Sequence, residues 1–124
     1  MLRAPYSAAF LRPDGAIQSG MGHLYRCLHL AAALRKHVDV TMLIDEAPTS
    51  FLAVLDRHGV PWRRQATEDG SIARQIVVFD GYRFDAADFT AAREKENLVA
   101  VIDDLASGYF DCDLVISHGP QNRR

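Results

Sequence analysis

Two short runs constrain this chain more than anything else in it. Ile76-Val77-Val78-Phe79 and Leu98-Val99-Ala100-Val101-Ile102 are unbroken apolar stretches, and each stops at acid: Asp80 after the first, Asp103-Asp104 after the second. A strand with one wet face alternates apolar and polar residues. A strand with no polar position is covered on both faces, as in the middle of a parallel sheet. Between the two runs, Asp85 is placed to cap a helix from Ala86 to about Glu96. Strand, helix and strand in that order imply parallel strands joined by crossovers, so the class is α/β.

The rest of the chain repeats the alternation. A first strand is predicted over Tyr6–Leu11, then a loop over Arg12–Gly22 that holds Pro13, Asp14, Gly15, Gly20 and Gly22. From His23 to Lys36, apolar Leu24, Cys27, Leu28, Ala31 and Leu34 recur at steps of three and four, the stripe of a helix lying on a sheet, with Arg26, Arg35 and Lys36 off it. Val38–Ile44 reads as a second strand. Pro48-Thr49-Ser50 opens a helix that ends at His58 and Gly59, and Val60–Arg63 is a short third strand. Glu68–Ser71 is polar and turn-rich, and Leu114–Ile116 is the last strand. The expected architecture is a Rossmann-like open parallel sheet with helices on both faces, one domain over residues 1–124, a length that buries one core.

Composition narrows the partners. A formal net charge of -2 and a pI near 6.2 provide no basic field, so neither nucleic acid nor an anionic membrane is expected as a partner. Cys27 and Cys112 lie far apart without metal-ligand or disulfide-framework spacing. The first ten residues carry one arginine and no signal-type apolar segment. A cytoplasmic setting, with no metal site and no cofactor, is the expectation.

In an open parallel sheet, ligands gather beyond the carboxyl ends of the strands. Three loops converge there. Ser19-Gly20-Met21-Gly22-His23 brings glycines that let backbone approach a ligand and a helix start whose N–H groups attract anions; the same glycines would equally make a tight strand-to-helix turn. His23 lies in the first turn, where the positive end of the helix favours a neutral imidazole able to act as general base; a capping or surface histidine is the plain alternative. Asp80-Gly81-Tyr82 offers a carboxylate and a phenol to hold sugar hydroxyls or to orient a histidine. Asp103-Asp104 puts adjacent acids at the same rim, one able to meet ligand while the other caps a turn. His29, His37 and His58 have no ligand spacing and read as structural or exposed.

Three segments in order resemble one known family: Gly20-Met21-Gly22-His23 with Tyr25-Arg26-Cys27-Leu28 and Leu30-Ala31; Asp80-Gly81-Tyr82 with Asp85; and Val101-Ile102-Asp103-Asp104-Leu105-Ala106 with Cys112-Asp113-Leu114. The family is the UDP-2,4-diacetamido-2,4,6-trideoxy-β-L-altropyranose hydrolases of pseudaminic acid biosynthesis. The resemblance implies the N-terminal half of a GT-B architecture and metal-independent hydrolysis in which water attacks the anomeric carbon and UDP leaves. It assigns His23 as acid or base, with Gly20, Gly22, Arg26, Asp80, Tyr82, Asp103 and Asp104 around the UDP-sugar. Arg26 would support the loop or lie on the helix surface, and Cys27 would pack. The chain departs from the family where Ser117-His118-Gly119-Pro120-Gln121-Asn122 stands in place of a closing Asp-Gln-Asn. The family's second Rossmann domain also has no counterpart here, and would have to be supplied in trans. Two further readings stay open: a non-catalytic binding or structural domain that self-associates through the face its second domain would cover, and half of a GT-B sugar transferase.

Overall fold

The alternation of strand and helix is realised. A computed structural model describes residues 6–15, 21–64, 72–81, 84–102 and 112–116. Along them run β1 (Ala8–Pro13), α1 (Gly22–Leu34), β2 (Asp39–Ile44), α2 (Thr49–Arg57), β3 (Trp62–Arg64), β4 (Ile76–Asp80), α3 (Ala86–Glu94), β5 (Leu98–Ile102) and β6 (Leu114–Ile116). The strands form one sheet in the order β3-β2-β1-β4-β5-β6, and every neighbouring pair is parallel. The chain steps outward from β1 to β3, then returns to the far side of β1 as β4 and steps outward again. β1 is followed by a helix on one face of the sheet and β4 by a helix on the other, so the point between β1 and β4 is the topological switch point of this Rossmann-like order.

Residue alternation along the strands assigns each side chain to a face. On one face Ala9, Leu11, Val40, Met42, Ile44 and Val78 pack against Leu24, Cys27, Leu28 and Ala31 of α1 and Phe51 and Leu55 of α2. On the other, Leu43, Val77, Phe79, Val99 and Val101 pack against Phe89 and Ala92 of α3. Phe79 meets Phe84 and Phe89 edge-on, with ring centroids 5.1 Å apart in both pairs. Phe51, Phe79 and Phe89 are at most 1% exposed, and each such side chain contributes roughly 1.5–3 kcal/mol by its burial.

Element ends differ from the sequence reading where pairing overrides propensity. β1 runs two residues past Leu11 because Arg12 and Pro13 align with Phe79 and Asp80 of β4. β3 begins at Trp62 rather than Val60, since it is the Trp62–Arg64 segment that aligns with Met42–Ile44, while Val60 is buried ahead of it. α1 stops at Leu34, two residues short of Lys36. Asp85 caps α3 as expected: its carboxylate accepts from the backbone N–H of Ala87 and Asp88, and Asp88 answers the N–H of Asp85 at 2.9 Å.

The two edges of the sheet are built differently. At the amino edge, Gln75 Oε1 accepts from the N–H of Ser7 and Ala8 at 3.1 and 2.9 Å. Buried Asn97 accepts from Gln75 N–H at 2.9 Å and donates to the carbonyls of Ile72 and Ala92. That lashing ties the starts of β1, β4 and β5 together with neutral amides. The buried charged side chains Arg12, Asp14 and Asp80 lie instead at the carboxyl edge.

Candidate functional site

β4 ends on a carboxylate facing α1. Its alternation sends Ile76, Val78 and Asp80 to the α1 side, and Asp80 is fully buried there. A buried carboxylate without partners would be prohibitively costly, so its surroundings are the first question. α1 supplies them from His23, Arg26 and Cys27, positions i, i+3 and i+4, which share one helix face.

Arg26 grips Asp80 with two donors, Nε to Oδ2 at 2.8 Å and Nη2 to Oδ1 at 2.5 Å. This fork-on-carboxylate geometry is one lysine cannot reproduce. His23 Nδ1 lies 2.9 Å from Oδ1, and the two side chains are 8% and 0% exposed. A carboxylate held by arginine only accepts, so the nitrogen facing it carries a hydrogen, which leaves Nε2 as the ring nitrogen that Asp80 does not engage. Arg26 Nη2 comes within 3.3 Å of the same His23 nitrogen, two donors converging on one shared oxygen.

Cys27 completes the shell, its thiol 3.9 Å from Asp80 Oδ2. Full burial, and then the negative charge of Asp80, push its pKa well above the usual thiol value of 9.0. It is a neutral packing thiol and not a nucleophile, in keeping with its place on the apolar stripe of α1.

Backbone contacts fix where Asp80 sits. Asp14, 2% exposed just beyond β1, donates its N–H to the Asp80 carbonyl at 2.7 Å. The next residue, Gly81, has φ +149, and a Cβ built on it would lie 2.1 Å from Asp14 Cβ. Gly81 is therefore more than a turn-maker: it lets two strand ends meet at the switch point. Gly15 plays a similar part, since a Cβ there would fall 2.0 Å from the Glu46 carbonyl oxygen.

Beside this cluster, no described side chain caps the start of α1. Its N-cap, Met21, makes no side-chain capping bond, and no acid lies in the first turn. Among the described residues, no side chain therefore caps the positive end of this helix. Gly22 opens the helix, and a Cβ there would meet nothing within 4 Å, so no packing within the described chain requires glycine at this position.

On the opposite face of the same edge, buried Arg12 stacks over Phe79 and Phe84, 5.7 and 5.5 Å from their centroids, with Asp45 Oδ1 3.7 Å from Nη2. Asp14, Arg12 and Asp45 were not singled out as rim residues by the sequence reading. The available signal was a charged pair, Arg12 and Asp14, closely following an apolar strand.

Of the residues singled out from sequence, His23, Arg26 and Asp80 come together, and Gly22 lies in the turn beside them. Arg26 is not a helix-surface arginine: its side chain is 18% exposed and committed to Asp80. Gly20, Tyr82, Asp103 and Asp104 lie outside the described residues, as do Leu105, Ala106 and Gln121-Asn122. His29, His37 and His58 are exposed. Among the described residues no group of three His, Cys, Asp or Glu side chains could hold a metal ion, and no helix is long and apolar enough to cross a membrane.

Fold and site together define a Rossmann-like open-sheet domain with a buried histidine–carboxylate–arginine centre at its switch point. No protein-family model, curated protein or solved structure matches this chain.

Proposed function

We propose that the chain is the N-terminal domain of a nucleotide-sugar hydrolase of GT-B architecture, acting on a UDP-linked diacetamido-trideoxy sugar, with His23 as general base. In this reading His23 Nε2 takes a proton from water as its oxygen bonds to the anomeric carbon. The bond from that carbon to the diphosphate breaks and UDP leaves with its electron pair. Asp80 holds the imidazole in the required tautomer, and Arg26 holds Asp80 in place. The carrying observation is the 2.9 Å contact between His23 Nδ1 and Asp80 Oδ1 at the carboxyl edge of β4, which directs the basic nitrogen away from the carboxylate. The order of motifs from Gly20 to Leu114, similar to that of the hydrolase family, supplies the substrate class.

The test is UDP release from the UDP-linked diacetamido sugar by this chain, alone and mixed with a C-terminal domain of the family, with His23→Ala as control. Release that depends on His23 supports hydrolysis, and release confined to the mixture makes the chain half of an enzyme. If UDP appears only when a sugar acceptor is added, a transferase is indicated. No release from a folded chain in any arm overturns the enzymatic reading in favour of a binding domain.

A further inference from the structure

A groove between α1 and α2 gathers two arginines and two histidines, apart from the Asp80 centre. Its volume is about 400 Å³, the lower range of small-ligand sites. α1 and its C-cap contribute Tyr25, His29 and Arg35, and α2 and its C-cap contribute Arg57 and His58. Leu28 and Val60, 8% and 3% exposed, form an apolar floor. None of the residues that hold Asp80 takes part, and among the described residues no carboxylate lines the groove.

Some of this charge has a purely architectural use. Cations are favoured at a helix C-terminus: Arg57 lies in the last turn of α2, and Arg35 Nη1 donates to the carbonyl of its C-cap, His58, at 2.9 Å. Capping does not account for the rest. Arg35 spends one of its five donors on that bond, and Arg57 has no ion-pair partner among the described residues. His29 comes from the body of α1 and contributes nothing to the end of α2. Tyr25, 39% exposed, is braced edge-on against Phe51 with centroids 5.2 Å apart, so it forms a fixed aromatic wall.

The geometry points to this groove as a binding site for a small soluble phosphate monoester with a planar or apolar body. The phosphate lies between Arg35 and Arg57, where two guanidinium forks offer donors that no described residue takes up. The body of the ligand rests on Leu28 and Val60 beside Tyr25. A bare anion would engage the rim and forgo the floor, and a neutral aromatic would do the reverse. Both bind more weakly than the joined molecule.

The experiment is amide NMR on the whole chain titrated with phenyl phosphate, inorganic phosphate and phenol in separate arms. Phenyl phosphate is expected to give saturable shifts centred on Tyr25, His29, Arg57 and His58, with tighter binding than either fragment. Arg57→Gln, an exposed position whose replacement leaves the core intact, is expected to weaken phenyl phosphate by at least about tenfold, the loss of one charge-assisted contact. His23→Ala is expected to leave it unchanged, which separates this groove from the proposed catalytic centre. Shifts that do not saturate, that centre on His23, or that persist undiminished in a folded Arg57→Gln chain would overturn the assignment. So would equal affinity for inorganic and phenyl phosphate.

Discussion

Nδ1 of His23 and Oδ1 of Asp80 lie 2.9 Å apart although 57 residues separate them in the chain. Topology brings them together. β1 and β4 are sheet neighbours only because the chain leaves β1, builds one half of the sheet and returns. α1, which follows β1, then lies over the last residue of β4. Strand alternation decides that this residue faces α1 and not α3, and helix periodicity gathers His23, Arg26 and Cys27 on the face that receives it. The centre is thus a product of the switch point itself.

The Arg26–Asp80 pair is expected to behave as a unit in stability measurements. Removing one partner strands the other in a site of low polarity, so Arg26→Met or Asp80→Leu alone costs about 3–5 kcal/mol. Replacing both removes the stranded charge, and the double variant is expected to lose clearly less than the sum of the two. Arg26→Lys keeps the charge but not the fork, and falls between wild type and Arg26→Met. Urea unfolding of the wild type and the four variants tests this; costs that simply add would mean that the two groups are solvated independently.

For the proposed hydrolysis, His23→Ala is expected to lower UDP release by on the order of 10²–10⁴, the usual contribution of a positioned base. Asp80→Asn is the sharper variant. Its amide nitrogen can donate towards Nδ1, which would move the imidazole hydrogen to Nε2 and remove the base. Imidazole ¹⁵N spectra report this directly: hydrogen on Nδ1 in the wild type, on Nε2 in a folded Asp80→Asn chain. If the wild-type ring already carries its hydrogen on Nε2, the assignment of His23 as base is lost.

How much of this was legible follows from what the residues encode locally. β4, β5 and β6 were readable to within a residue because unbroken apolar runs admit few alternatives, and Asp85 because a cap is a local interaction. The end of β1 was not: arginine and proline argue against a strand, and only alignment with Phe79 and Asp80 draws Arg12 and Pro13 into it. His23 and Asp80 each stood out, and orienting a histidine was one of two uses read for Asp80. The place of Arg26 was hidden because it lies off the apolar stripe. Helical side chains lean towards the N-terminus, which is how an off-stripe arginine reaches the turn of His23 and the end of β4.

Two glycines at the centre are expected to respond in opposite ways. Gly81→Ala forces a Cβ to within 2.1 Å of Asp14 Cβ at φ +149, combining backbone strain with overpacking for a loss of at least about 2 kcal/mol. Gly22→Ala meets nothing within 4 Å and replaces glycine in a helix, so stability is unchanged or rises by up to about 1 kcal/mol. If Gly22 serves ligand approach, the same variant weakens UDP-sugar binding without weakening the fold. Thermal unfolding and KM, measured on both variants, separate the two roles; a Gly81→Ala chain as stable as wild type would show that the Asp14 contact relaxes freely.

Cys27 gives the centre an alkaline signature whose sign can be worked out. Burial, reinforced by the charge of Asp80, raises its folded pKa well above the usual 9.0, the value near which the thiol ionises in the unfolded chain. Below that value both states hold the proton and stability does not depend on it. Above it the unfolded state gives up the proton while the folded state retains it, so stability falls as pH rises, by up to about 1.4 kcal/mol per unit, until the folded pKa is reached. Tyrosines and lysines titrate in the same range, so the measurement is a difference: unfolding free energy from pH 8 to 10 for wild type minus that for Cys27→Ala. The wild type is expected to lose more over this interval, and its Cys27 thiol to resist alkylation until the chain unfolds. Parallel slopes in the two chains, or ready alkylation of folded Cys27, would mean that the thiol is not sealed against Asp80.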